Sequence, residues 1–264
     1  MQTRKTIAIV CLAVLFVAVV YWSSGTRDNN CNTAYITLHG HIAAYIPDSE
    51  SSSSTNALDQ TSSDDVTRAI RNASKKSSIK AIILEVASPG GSPVGGQEIE
   101  TALRDSKKPT VALIRNEGDS AAYLAATGAD KIFASVFSDV GDIGITQSYT
   151  DNSKQDVSNG ITFNQLSVGK YKDMFDLDKP MTDDEKSLAM GQLQIGYQNF
   201  VQIVANNRHM SVDTVTKLAD GASMTGQQAL EVGLIDKIGG IDDVRDYLQQ
   251  KLGKSVNICG IDGQ

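Results

Sequence analysis

The sequence predicts an α/β fold organised around a largely parallel sheet, and two features of its patterning lead there. Between residues 34 and 146, short apolar runs of the buried-strand kind alternate with amphipathic stretches of helical period, as crossover units require. Beyond residue 180 the pattern turns to longer helical segments with recognisable caps.

The first element is an apolar run. Ile7 to Trp22 carry no polar side chain except the Tyr21 hydroxyl, with Arg4 and Lys5 before them and Ser23 to Asp28 after. Such a helix is about 24 Å long, and its flanks extend it towards the ~30 Å of a hydrocarbon core. A cleaved signal peptide is the competing reading, but its apolar part is usually shorter and ends in a small-x-small site. Here the run ends Val19-Val20-Tyr21-Trp22, which suits an aromatic anchor at the membrane interface. The positive-inside rule puts residues 1–5 in the cytoplasm, weakened only slightly by Arg27. Residues 1–30 are therefore expected to be a cytoplasmic tip and single transmembrane anchor in the inner (cytoplasmic) membrane. Residues 31–264 are expected to be an extracytoplasmic, periplasmic body.

Ala34–Leu38 reads as the first buried strand. Residues 47–65, PDSESSSSTNALDQTSSDD, hold too few apolar groups to offset the entropy of ordering, so a mobile loop is expected; its serines also admit a phosphorylation reading. Further strands are expected at Ala81–Val86, Thr110–Ile114, Lys131–Ala134 and Ile143–Thr146, with helices at 64–75, 94–107 and 120–128. Thr182 and Glu185 form a capping-box pattern before Leu188, Leu193, Tyr197, Phe200, Val201 and Val204. Thr225 and Gln228 form another, closed by Gly233 as the expected C′ residue. No internal repeat is present.

The totals bound the function. A chain of 264 residues, 41% hydrophobic and 21% charged, is an ordinary globular composition for one domain and a tail. A net charge of −7 without clustered Lys and Arg argues against nucleic acid as a partner. Cys11, Cys31 and Cys259 match no metal-binding spacing. Cys31 and Cys259, near the two ends of the body, could pair outside the cytoplasm or stay as free thiols.

Two short segments could carry chemistry. Ser88-Pro89-Gly90-Gly91 follows a strand, and its glycines allow backbone N–H groups to face a developing oxyanion; an ordinary strand-to-helix turn is the plainer reading. Asp119-Ser120-Ala121-Ala122-Tyr123 places a serine at a helix start, where its plainer role is N-cap. A nucleophilic serine needs a base. His39, His41 and His209 stand in no recognisable triad setting, whereas Gly169-Lys170-Tyr171-Lys172-Asp173 supplies two lysines that a desolvated site could use neutral. Periodicity does not choose between them.

Taken in order, these segments resemble the signal peptide peptidase family (SppA, or protease IV), Ser–Lys proteases on the Clp-protease/crotonase fold. The resemblance runs from about residue 34 to 247. It is carried by Ser88-Pro89-Gly90-Gly91, Ser120-Ala121-Ala122-Tyr123-Leu124-Ala125-Ala126, Ala129-Asp130-Lys131-Ile132-Phe133-Ala134 and Gly141-Asp142-Ile143-Gly144-Ile145. The lysine segment follows, then Thr225 to Leu230, Gly233-Leu234-Ile235-Asp236 and Gly239-Gly240. The resemblance implies a superhelix of β-β-α units with a helical C-terminal part, Ser120 as nucleophile and Lys172 as base. It implies oxyanion donors at Gly90 or Gly91 and at Ala121, with no metal, nucleotide or other cofactor. It further implies peptide substrates bound as an added strand, a bilayer contact through residues 7–22, and a ring-like homo-oligomer of the short form, with Ser120 and Lys172 from neighbouring subunits. Three positions depart from the family pattern: Ala121-Ala122 for a usual Gly-Gly, Asp142 for a usual serine, and Ala222 where arginine is common. They leave room for altered specificity or weak activity, and Ala121 and Ala122 favour another reading, a non-catalytic membrane-anchored oligomeric binding or scaffold relative; a crotonase-type acyl-thioester enzyme also stays open, since that fold shares the oxyanion geometry.

Overall fold

A computed structural model describes residues 31–46 and 59–260. The expected anchor at 7–22 lies outside the described residues, as does most of the Ser-rich stretch. Among the described residues no helix is long and apolar enough to cross a membrane.

The body opens with β1 (Thr33–His39) and β2 (His41–Ala43). Next come β3 (Gln60–Ser62), α1 (Ser63–Lys75), β4 (Ala81–Ser88), α2 (Pro93–Arg104) and β5 (Thr110–Asp119). They are followed by α3 (Ala121–Ala126), β6 (Lys131–Ala134) and β7 (Asp139–Gly141). A largely irregular stretch holding α4 (Ser153–Ser158) leads to the long α5 (Asp183–Arg208). The chain then runs through α6 (Val212–Leu218), β8 (Ser223–Thr225), α7 (Gly226–Glu231), β9 (Lys237–Ile238), α8 (Ile241–Leu252) and β10 (Ile258–Gly260).

The main sheet has the order β10-β1-β4-β5-β6-β9, every neighbouring pair parallel. β5 is long enough to serve two neighbours: Val111–Ile114 pair with β6, and Glu117–Asp119 pair with β7. β7 in turn pairs antiparallel with β8. β2 and β3 form a separate parallel pair, to which Gly91 adds a bridge at Ile42. Strands of the main sheet thus alternate with helices in a mixed α/β arrangement.

Both faces of the sheet are covered. Ala34, Ile36, Leu38, Ile82, Leu84, Val86, Ala112 and Ile114 face one core with residues of α1, α2, α3 and the C-terminal half of α5. The alternate residues Ile83, Val111, Leu113 and Phe133 face Val244 and Leu248 of α8. That double cover explains why Ala81–Leu84 is an unbroken apolar run, since a central parallel strand has little wet face; Glu85, which follows, is paired with His39 and Arg115.

Both capping boxes form, at Thr182/Glu185 and Thr225/Gln228. Gly233 is the C′ residue of α7 in a Schellman arrangement: its N–H donates to Leu230 O (3.2 Å), and Leu234 N–H donates to Ala229 O (2.8 Å). Cys31 and Cys259 are joined in a disulfide, Cα atoms 5.9 Å apart, which ties β10 to the residues leading into β1.

Two expectations are corrected. The loop assigned to 47–65 ends early: residues 60–62 are strand β3, and 63–65 open α1, where Ser62 and Ser63 are buried and Asp64 and Asp65 occupy the favourable first turn. The strand expected at Ile143–Thr146 falls instead at Asp139–Gly141. The chain turns at Asp142, whose φ is +46°, and the residues after it are unpaired among the described residues although Ile143 is fully buried.

Candidate active site

Ser120 stands between the end of β5 and the start of α3, with φ +54° and ψ −124°. That backbone is costly for a residue with a side chain, about 1–3 kcal/mol, and is held by its surroundings. Ser120 N–H donates to Gly141 O (2.8 Å), and Ser120 O accepts from Leu124 N–H (3.0 Å). The hydroxyl caps no backbone N–H, so the N-cap role is not what this serine does. It is left half-buried on the outside of a sharp turn.

The glycine pair sits against this turn. A Cβ on Gly90 would lie 2.9 Å from Asp119 O and from Ser120 Cβ, and 3.0 Å from Ala121 N. A Cβ on Gly91 would lie 2.4 Å from Ile42 O. Both glycines have positive φ, 101° and 139°, so neither position tolerates a side chain. Gly90 N–H donates to Ser88 Oγ (3.1 Å). At the parallel bridge Ile42 bonds the flanking groups, accepting from Ser92 N–H and donating to Gly90 O (both 2.8 Å), which leaves Gly91 N–H turned away from β2. Ala121 N–H is the first of α3 and has no intrahelical acceptor. Among the described residues the N–H groups of Gly91 and Ala121, on either side of this turn, have no backbone acceptor.

A cavity of about 230 Å³ opens beside Ser120 and Ala121. Its walls come from Pro93 of α2, Leu124 of α3, Ile145, and Phe200 and Ile203 of α5, with Gln97 and Asn199 exposed at its mouth. Sequence reasoning missed the α5 contribution. The signal was there in Gly196, a glycine inside a long helical pattern, which also lines the cavity.

Neither lysine lines this cavity. Lys170 is exposed, donates to Asp184 Oδ2 (2.6 Å), and that bond pushes its ammonium above the usual lysine range. It is thereby held protonated. Lys172 is exposed on the irregular stretch before α5, and among the described residues no carboxylate reaches it. Ser120 and Lys172 are not brought together within one chain. The histidines are no better placed: His39 Nε2 bonds Glu85 Oε1 (2.9 Å), His209 ends α5 in the left-handed region, and none of the three lines the cavity.

Of the departures from the expected pattern, Ala121-Ala122 has a local explanation. Ala121 and Ala122 are 2% and 0% exposed and belong to the core. Room for Ala121 comes from α2, where a Cβ on Gly96 would lie 3.1 Å from Ala121 Cβ. The methyl groups are absorbed by packing rather than crowding the serine. Asp142 is half-buried and donates its N–H to Ala222 O (3.2 Å); burial raises its carboxyl. Asp119 was missed by sequence reasoning as a titrating group: burial first, then Asp142, Asp139 and Glu117, push its carboxyl up to about 6. Among the described residues no group of three or more His, Cys, Asp or Glu side chains could hold a metal ion.

An uncommitted serine hydroxyl, two N–H donors and an adjoining apolar cavity suit attack on a carbonyl with stabilisation of the resulting oxyanion. Comparison with known proteins agrees with this chemistry. The sequence signature of Peptidase family S49 matches residues 102–255. A candidate protease of Methanocaldococcus jannaschii is 33% identical over 178 residues, 67% of this chain and 57% of that protein. A candidate signal peptide peptidase SppA of Enterococcus faecium is 33% identical over 176 residues, 66% of this chain and 51% of that protein. The chain thus spans a little over half the length of these two relatives. Among solved structures, a mutant of the membrane-bound stomatin-specific protease 1510-N superposes with a TM-score of 0.55 at 14% identity, covering 88% of this chain and 98% of that one. A mutant of ClpP1 from Listeria monocytogenes gives 0.52 at 14%, covering 82% and 94%. These two show the fold, a mixed α/β arrangement of the Clp-protease kind.

Proposed function

Since the chain belongs to Peptidase family S49, we propose that it is a membrane-anchored serine peptidase that cleaves signal peptides or other short extended peptides through Ser120 and Lys172. The observation that carries this reading is the strained turn at Ser120, which leaves the hydroxyl uncapped beside Gly91, Ala121 and an apolar cavity.

In this mechanism neutral Lys172 takes the proton from Ser120 Oγ as it attacks the scissile carbonyl. The carbonyl π bond breaks, and the oxyanion is held by the N–H groups of Gly91 and Ala121. One such donor is worth on the order of 10²–10³ in rate. The lysine ammonium then protonates the leaving amine as the C–N bond breaks. Water, deprotonated by the same lysine, releases the acyl group. Desolvation is what makes a lysine neutral enough for this work, and an exposed lysine lacks it.

Assembly supplies the burial. Leu166 and Val168 are 101% and 98% exposed, and Val157, Ile161 and Phe163 stand out on the same stretch. Apolar surface of this kind calls for cover, and Lys172 lies four residues beyond Val168. A second copy docking this stretch near its own Ser120 would bury the apolar groups and deliver the base together. The disulfide between Cys31 and Cys259 suits an oxidising compartment, which supports a body outside the cytoplasm on an inner-membrane anchor at residues 7–22.

The full-length protein in detergent, treated with a fluorophosphonate probe, tests the reading. The parent and Lys170→Ala should be labelled, and Ser120→Ala and Lys172→Ala should not. Labelling of Lys172→Ala with loss in Lys170→Ala would reassign the base, and an unlabelled, folded parent would sink the catalytic reading.

A further inference from the structure

Gly196 lies within α5, a helix of 26 residues, where glycine costs about 1 kcal/mol relative to alanine. Nothing in the fold requires it there. A Cβ at this position would meet only Ile145, at 3.8 and 3.9 Å, which is ordinary contact. No backbone approaches closely, and its φ is not positive. What the missing side chain does is keep the cavity beside Ser120 open on the α5 side.

The cavity's dimensions and lining say what enters. Its volume of about 230 Å³ is below the roughly 300–1,000 Å³ of pockets that enclose whole small molecules, so it suits a single side chain. Its lining contains no charged residue, and an uncompensated charge there would lose its hydration. Because the cavity abuts Ser120 and Ala121, the nearest part of a bound peptide is the residue that contributes the scissile carbonyl.

From this we propose that Gly196 determines which side chain is accepted at that residue, and that the open cavity selects a large apolar one such as Leu, Met or Phe. The proposal rests on Ser120 being the nucleophile. It adds a specificity-determining residue on an element remote from it in sequence.

The test uses the full-length protein and two peptides that differ only in ending with Leu or Ala. Their binding as free acids is measured by calorimetry, and their hydrolysis as p-nitroanilides is measured as kcat/KM. The parent should favour Leu by about 10–100-fold, the range that small apolar differences give in a fitted pocket. Gly196→Leu, which fills the cavity, should bring the Leu:Ala ratio close to one, and Gly196→Ala should lower it part of the way. Gly191→Ala, on the same helix with nothing within 4 Å, gains the same helix propensity and should keep the parent's ratio. Should Gly196→Leu not fold, the partial effect of Gly196→Ala decides. A parent without preference, or a ratio that Gly196 variants do not move, overturns the proposal. Binding preference that Gly196→Leu erases, in a protein whose Ser120 is never labelled, would uphold the pocket and reject the catalytic reading. Labelling with an unmoved ratio would do the reverse.

Discussion

Asp119 ends β5 with its carboxylate half-buried, and its Oδ1 has no hydrogen-bond donor among the described residues. Burial and three neighbouring acids raise it to about 6, against an ordinary aspartate value of about 3.9. The fold therefore favours the protonated form. Its contribution to stability is greatest below about pH 4, declines as pH rises from about 4 to 6, and is level above that. Asp119→Asn should flatten this decline, seen as a smaller drop in urea midpoint between pH 4.5 and 7. Equal drops in parent and variant would show that Asp119 does not carry it. The same residue shows how far local reading reaches. Ser120 was legible as a candidate because a serine opens an apolar helical stretch after a strand. Whether it capped or stood free depended on a positive φ that no residue type announces. Asp119 looked like any polar residue before that turn, since its burial comes from β7 and the chain beyond it.

Thr182 Oγ1 accepts from Glu185 N–H (3.3 Å), and the Glu185 carboxylate accepts from Thr182 N–H (2.8 Å). Lys179 adds an ion pair to that carboxylate at 2.7 Å, and the pair leads the causes that hold it down to about 2. This cap starts the helix whose far half carries Gly196, Phe200 and Ile203. Thr182→Ala should lower stability by about 1 kcal/mol, read as a shifted urea midpoint at unchanged m-value. An unshifted midpoint would mean that tertiary packing alone holds the helix start. Because the Glu185 value is depressed, its share of stability is present above the ordinary carboxylate range and lost as pH falls towards 2. Elements with both local signals and regular period, such as α5 and β4, were legible in advance. Ile143–Thr146 was not, because a four-residue apolar run reads as a strand whether or not a partner strand lies beside it.

At the scale of the molecule the largely irregular stretch from 147 to 181 contributes no residue to either core of the sheet. Its exposed apolar side chains and Lys172 share one segment, so assembly and catalysis should fail together. Replacing Leu166 and Val168 with Asp should convert an oligomer to a monomer in light scattering. Peptide hydrolysis should fall at least about 100-fold, the lower range of a general base's worth. A monomeric parent with full activity would defeat this account. The disulfide belongs to the same scale, since it joins positions 228 residues apart that only the β10–β1 pairing brings together.

By itself the sequence determined the class of fold, the helix starts and the order of the segments that resemble a Ser–Lys protease. Apolar runs, caps and turn glycines are patterns among residues within a few positions of one another, so they are written locally. Only the tertiary structure decided how Gly96 makes room for Ala121, that Lys170 is tied to Asp184, and that α5 walls the cavity at Ser120. Each of these is a contact between segments far apart in the chain. Its existence depends on crossover geometry, which residue spacing does not encode.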